Sequence, residues 1–337
     1  MSLLNQLQPD PLAWLLDPSE PGPRYLALRD LLDAPPDDQE LLSARAAAHR
    51  EGPIGEVLSH MQPEGWWGEA GPGYGPKYFS TVWALIMLAQ MGASVEADER
   101  IARACAYYLD HAFCADGQIG TSNAPSGTAD CLQGNMLASL RMLGYRDERM
   151  VKAYEWMSRT VTGEGMAPRR DKHAPLRYYA GKSGPCFACG ANNNLSCAWG
   201  GVKVMLAFSL LTPAERTPLI ENAIVTGSDF LLDGNPAEAN YPNGWAEHPS
   251  GNWWKFGFPV FYVTDLLQNV EALVGLGFGH DARLAAALEI IRSKQDTQGR
   301  WLMEYPYGAK TWSDFGRKGL PNKWVTLRAL KVLKAAA

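Results

Sequence analysis

Four cysteines stand where a chain could hold a metal or present a reactive thiol. Cys186 and Cys189 form a C-x-x-C pair, Cys197 follows shortly after, and Cys131 lies upstream. Thiolates converging in fours hold zinc in a closed, structural site. Three with a water, or with a carboxylate such as Asp130, leave a catalytic position open. Cys131 and Cys197 each begin a helical pattern, and a helix N-terminus lowers a thiol pKa, which favours either ligation or nucleophilic attack. Cysteine is also a small hydrophobe that packs without function. That is the reading for Cys105 and Cys114, and the alternative to zinc or redox chemistry for the other four.

A second group could move protons. Asp265 closes the otherwise apolar stretch Pro259-Val260-Phe261-Tyr262-Val263-Thr264. A carboxylate there is costly unless it is paired or working, and burial raises its pKa towards the range of a proton donor. Asp265, Asp130 and Tyr262 are the catalytic candidates; anchoring a helix by hydrogen bonds is the structural alternative for Asp265. Lys323 and Arg328 are candidate partners for Asp265 or binders of an anionic group. Aromatic faces stack on flat apolar ligands or stabilise cations. Trp66, Tyr74, Tyr78, Trp199, Trp254 and Trp312, with Lys323, are the candidate substrate-binding residues. His173 and His248 sit in polar loops and read as exposed.

These residues need elements to position them, and nearly every long segment reads as helix. Apolar residues recur at helical spacing in 79–91, 96–112, 132–143, 149–160, 195–211, 213–232, 259–276, 281–294 and 322–334. Strand-like alternation is scarce. Gln62-Pro63-Glu64-Gly65-Trp66-Trp67 returns as Gln295-Asp296-Thr297-Gln298-Gly299-Arg300-Trp301. Gly117-Gln118, Gly163-Glu164-Gly165 and Gly244-Trp245 mark similar places. The spacing is roughly 50 residues, with one gap of roughly 80 between Gly165 and Gly244 that contains the C-x-x-C pair. A period of this size with two helices per unit predicts an array of helical hairpins. A glycine at that place suits a positive φ. Residues 1–55, with helices over 12–16, 24–32 and 39–50, predict an N-terminal cap on an array that fills 56–337. Asp37-Asp38 followed by Glu40 imitates a diphosphate–magnesium motif, but it lies where a helix starts and acids suit the dipole.

Bulk composition narrows the classes. Of 337 residues, 46% are hydrophobic and 20% charged, the balance of a globular protein. A net charge of −5 argues against a nucleic-acid surface. No run of about 18 apolar residues is present to span a membrane. Met1-Ser2-Leu3-Leu4-Asn5 lacks the basic start and apolar run of a signal peptide, so the expected compartment is cytoplasmic and reducing, with free thiols. The 12 Trp, 13 Tyr and 10 Phe suggest a lined concavity.

The Q-x(2–5)-G-x-W turns followed by helix pairs resemble the repeats of squalene–hopene cyclases and of protein prenyltransferase β subunits. The chain is most similar to bacterial squalene cyclase-like, or prenyltransferase/squalene oxidase repeat, proteins. Pro23-Arg24-Tyr25-Leu26-Ala27-Leu28-Arg29-Asp30, Pro76-Lys77-Tyr78-Phe79-Ser80-Thr81, Phe256-Gly257-Phe258-Pro259, Ser293-Lys294-Gln295-Asp296 and 322–330 carry that resemblance. It implies an all-α (α/α) toroid, in which inner helices ring a cavity and outer helices surround them. It also implies an Asp at the place of Asp265. The D-x-D-D acid of class II cyclases and the D-D-x-x-D of prenyl diphosphate enzymes are both absent. Asp130-Cys131 matches only the first part of the prenyltransferase zinc set.

The expected function is acid–base or zinc Lewis-acid chemistry on a small apolar, isoprenoid-like molecule in the cavity. Two alternatives stand beside it. One is a carbohydrate-active (α/α) barrel lyase or hydrolase using carboxylates such as Glu304 and Asp314. The other is a non-catalytic toroid that shelters a hydrophobic ligand or docks a partner, its cysteines structural.

Overall fold

A computed structural model describes residues 10–337; the N-terminal pentapeptide discussed above lies outside the described residues. The chain's regular secondary structure is almost wholly helical. The helices are α1 (Leu12–Leu15), α2 (Pro21–Leu26) running on into a π-helical turn (Ala27–Leu31), α3 (Gln39–Arg50), α4 (Gly52–Ser59), α5 (Thr81–Gln90), α6 (Glu99–Ala112), α7 (Asp130–Met142), α8 (Glu148–Thr162), α9 (Ala198–Ser209), α10 (Pro218–Asp233), α11 (Leu266–Gly275), α12 (Ala285–Ser293) and α13 (Lys323–Ala335). One small antiparallel hairpin, β1 (Ala188–Cys189) with β2 (Leu195–Ser196), pairs Cys189 with Leu195.

The helices fall into two kinds, and the sequence explains why. Thr81 to Ala89 of α5 are all buried, and α7, α9 and α11 are buried nearly all round. A helix apolar on every side must sit in the interior. α6, α8, α10 and α12 instead bury one face and expose the other. Each buried helix packs on the next: α5 on α7, α7 on α9, α9 on α11, α11 on α13. α13 then packs on α2 and the π-helical turn, and Leu26 and Tyr25 reach Gly92 just beyond α5. At Gly134 a Cβ would stand 2.4 Å from the backbone of Lys203. Only glycine lets α7 and α9 meet that closely.

Three copies of one turn lead into α5, α7 and α13. In Gln62–Trp66, Cys114–Gln118 and Asp296–Arg300, the first residue's N–H donates to the fifth residue's carbonyl, at 2.8 Å in each copy. The fourth residue is Gly65, Gly117 or Gly299, all with positive φ. At Gly117 a Cβ would also lie 2.3 Å from the carbonyl oxygen of Lys152, so both conformation and space demand glycine. The residue after each turn donates its N–H to a side chain of the following inner helix. Trp67 reaches Thr81 (3.1 Å), Ile119 reaches Gln133 (3.0 Å) and Trp301 reaches Thr326 (2.9 Å).

This register corrects the sequence alignment of the repeat. Trp67, not Trp66, is the counterpart of Trp301. Both indoles are buried, and both donate from Nε1 to a carbonyl ten residues back, at 2.7 Å: Val57 and Ile291. Trp66 is half-buried. The other two marked places are different turns. Gly163 ends α8 in a left-handed conformation, and Trp245 is 72% exposed.

Other expectations move by a few residues for identifiable reasons. α4 was not expected; it follows α3 directly, and the expected cap boundary at residue 55 falls inside it. Residues 259–264 are not helical, because α11 starts only after Asp265, whose carboxylate accepts from Gln268 N at 2.8 Å. Leu195 and Ser196 are strand, and Cys197 caps α9. Asp38 caps α3 through Leu41 N at 2.9 Å, as its place at a helix start implied.

Candidate functional site

A cavity of about 870 Å3 opens where the segments leading into α5, α7, α9 and α11 converge. That volume suits a small organic molecule. Tyr74, Trp199, Tyr241, Trp253 and Tyr262 contribute aromatic wall, and Cys131, Cys189 and Cys197 contribute thiols. Lys77 and Lys182 stand among the lining residues. Sequence distance conceals this grouping; the helix order creates it, by bringing successive inner helices to the cavity at the same end.

The predicted residues divide between this cavity and elsewhere. Tyr74, Trp199, Tyr262, Cys131, Cys189 and Cys197 line it. Trp66, Tyr78, Trp254, Trp312, Lys323, Cys186 and Asp265 do not, and Asp130 lies just behind the wall, between the lining residues Ala129 and Cys131. Tyr78 packs against Trp83, Phe261 and Tyr307. Trp254 donates to Ala237 O at 2.8 Å, while its neighbour Trp253 takes the cavity position. Trp312 stacks on His60 with ring centroids 4.1 Å apart and donates to Phe79 O. Lys323 is buried, with its ammonium 2.6 Å from Glu20 and 3.7 Å from Asp17, over the face of Trp14. It fastens the N-terminal segment to α13. Cys186 has φ 46° and faces Ser196, outside the cavity.

Asp265 is a structural ion. Its carboxylate takes Arg328 in two hydrogen bonds of 2.8 and 2.9 Å and caps α11. Arg328 also donates to Gly257 O at 2.7 Å. Every polar atom of the carboxylate is therefore occupied, and a buried charge so paired is a scaffold element. Next to it lies Lys203, fully buried in α9 and hydrogen-bonded to the side chain of Gln268, which Thr264 also engages. Burial lowers Lys203 to about 7, against the pull of Asp265 in the other direction. Sequence reasoning missed this lysine. Its only signal was a charge inside the apolar run Ala198–Ser209.

Asp130 is the opposite case. It is 5% exposed at the first turn of α7. Ser183 Oγ donates to its Oδ1 at 2.6 Å, and Asp130 N donates to Lys182 O. Its Oδ2 has no hydrogen-bond partner. Burial raises its pKa to about 7, opposed by the Ser183 hydroxyl and the Gly184 amide. A carboxyl of this kind is neutral or charged according to small changes in its surroundings, which suits it to proton transfer at neutral pH.

Cys131 is close enough to Cys197 and Cys189 to feel their charge. Burial raises Cys131, and Cys197, Asp130 and Cys189 add to the rise. Burial also raises Cys197, while the amides of Gly200 and Trp199 pull it down. Among the described residues no three His, Cys, Asp or Glu side chains form a group that could hold a metal ion. Of the four cysteines expected to form a zinc set, Cys131, Cys189 and Cys197 line the cavity and Cys186 does not. Glu304, a candidate for carbohydrate chemistry, is bound to Lys294 at 2.7 Å, and Asp314 accepts from Gly316 N in an exposed loop. Neither lines the cavity. No helix among the described residues is long and apolar enough to cross a membrane. No family model matches the chain, and no curated protein matches its sequence.

Proposed function

We propose that this chain is an (α/α) toroid of the squalene cyclase-like repeat class that binds an apolar, isoprenoid-like molecule in the aromatic cavity and transfers a proton through Asp130. The observation that carries this reading is Asp130 itself. It is a buried carboxyl with one oxygen fixed and the other free, set in the first turn of α7 beside the wall residue Cys131. The succession of buried helix contacts from α5 round to α13 and α2 supports the toroid. The apolar and aromatic wall supports the ligand class.

The same carboxyl limits the chemistry. Burial weakens it as an acid, to about 7. An unactivated alkene calls for a much stronger acid, so hopene-type cyclisation is not the reaction this site favours. Proton exchange at a carbon next to a carbonyl, or at a heteroatom, matches an acid–base pair working near neutrality.

The isoprenoid ketone geranylacetone tests both parts. In deuterated buffer the wild-type protein should bind it and speed deuterium uptake next to the carbonyl. Asp130→Asn should keep binding and lose the exchange, and Trp199→Ala should weaken binding. Failure to bind any apolar probe, or exchange that persists in Asp130→Asn, would overturn the proposal.

A further inference from the structure

We propose that Cys197 is a nucleophilic thiol of the cavity, with Asp130 as its proton acceptor, and that it forms covalent adducts with apolar α,β-unsaturated carbonyl compounds. The inference rests on the reading that the cavity admits an apolar ligand. It adds a covalent site and a substrate class to that reading.

Geometry favours this thiol: of the cavity cysteines, Cys131 lies inside the first turn of α7 and Cys197 stands at the N-cap of α9. Cys197 is the N-cap of α9, a helix of 12 residues, and helix N-termini stabilise a developing thiolate. Trp199 and Gly200 supply the amides that pull on its sulfur. Gly200 leaves a gap beside it: a Cβ there would lie 4.0 Å from Cys197 Cβ and 3.6 Å from Asp130 Cβ. The thiol and the carboxyl thus border one small space. Asp130 also carries an oxygen, Oδ2, that is buried and has no hydrogen-bond partner. Cys197 also lines the cavity, so an apolar electrophile bound there meets the sulfur. Cys105 is fully buried in α6, Cys114 is buried at the end of that helix, and Cys186 lies outside the cavity. Cys189 lines it from β1 rather than from a helix N-terminus.

The chemistry balances without a further reactant. Asp130 in its carboxylate form takes the Sγ proton as the sulfur bonds to the β-carbon of the enone. The π pair of the carbon–carbon double bond moves towards the carbonyl as an enolate. Asp130 then returns the proton to the α-carbon. The net change is addition of S–H across the double bond, with no oxidation. Because burial holds the Cys197 thiol protonated, a neighbouring base is what makes it reactive.

The test uses N-phenylmaleimide, an apolar activated alkene, with the whole protein. Intact mass gives the number of adducts. Chymotrypsin, cutting after Phe187 and Leu195, separates Cys186, Cys189 and Cys197 onto different peptides. The first adduct should form at Cys197, with a rate that rises through about pH 7 as Asp130 ionises. Asp130→Asn should slow it roughly 100-fold, the lower range for a lost general base, and abolish that inflection. Gly200→Ala meets only ordinary contacts, so it should fold and slow labelling by filling the gap. First labelling at Cys131, Cys189 or any other cysteine, or an unchanged rate in Asp130→Asn, overturns the inference. Nile red binding, followed in parallel, separates the two readings. Dye uptake without selective Cys197 labelling refutes this inference and leaves the binding cavity standing. Absence of both refutes the cavity reading as well.

Discussion

Replacing Asp130 by Asn should change how stability depends on pH, by an amount set by the burial of the carboxyl. The folded protein holds this group at about 7, against an ordinary 3.8. A carboxyl raised on folding contributes fully below its unfolded pKa and loses that contribution as pH rises through its folded pKa. The window is therefore from about 4 to about 7. Each unit is about 1.36 kcal/mol, so a shift of about three units removes about 4 kcal/mol by about pH 8. The unfolded carboxyl is already ionised at about pH 5, so the part that develops between about pH 5 and pH 8 is about 2.5 kcal/mol. Asparagine keeps an oxygen for the Ser183 hydroxyl and places an unpartnered amide at Oδ2. That costs about 1–3 kcal/mol at every pH. Urea unfolding of both proteins, followed by tryptophan fluorescence across this window, measures the difference. The gap should move in favour of Asp130→Asn by about 2.5 kcal/mol from acid to alkaline. Parallel stability curves would refute the claim that this carboxyl is neutral in the folded state.

Five further substitutions test the rest of the account. Trp301→Phe and Trp67→Phe each remove a buried indole donor and should cost about 2–3 kcal/mol in urea unfolding. Trp66→Phe should cost well under about 1 kcal/mol; equal costs would restore the alignment that pairs Trp66 with Trp301. Asp265→Asn leaves Arg328 buried without its counter-ion and should destabilise by about 3–5 kcal/mol, with geranylacetone binding kept in the protein that remains folded. Lys203 is lowered from 10.5 to about 7, so it costs stability most fully below about 7 and progressively less up to its unfolded pKa. Lys203→Met should therefore gain more stability at about pH 6 than at about pH 9, less the cost of stranding Gln268. A pH-independent change would show that the amine is charged in the fold.

How much of this was legible in the sequence depended on whether the signal was local. Helical periodicity in 79–91 or 322–334 reports which face of a helix is apolar, and that is a property of neighbours in the chain. The turn at Gly299 was legible for the same reason, since positive φ and a following Trp are local demands. Boundaries failed where a distant group decided them. The run 259–264 has helical composition, yet α11 waits for Asp265, which is held by Arg328 from α13. The choice between Trp66 and Trp67 was likewise settled by Val57 and Thr81, which the indole and its amide reach across the turn.

The chemistry divides along the same line. Composition and spacing were enough to mark Cys131, Cys189, Cys197, Asp130 and Tyr262 as residues able to do chemistry, because those types carry reactive atoms wherever they stand. They were not enough to say that Cys186 of the C-x-x-C pair faces away, or that Asp265 is fully paired while Asp130 keeps a free oxygen. Those differences are differences in solvation and partners. A carboxyl's pKa and a thiol's reach depend on what lies within a few ångströms, and only the packing of α7 against α9 at Gly134 and Gly200 puts those neighbours in place.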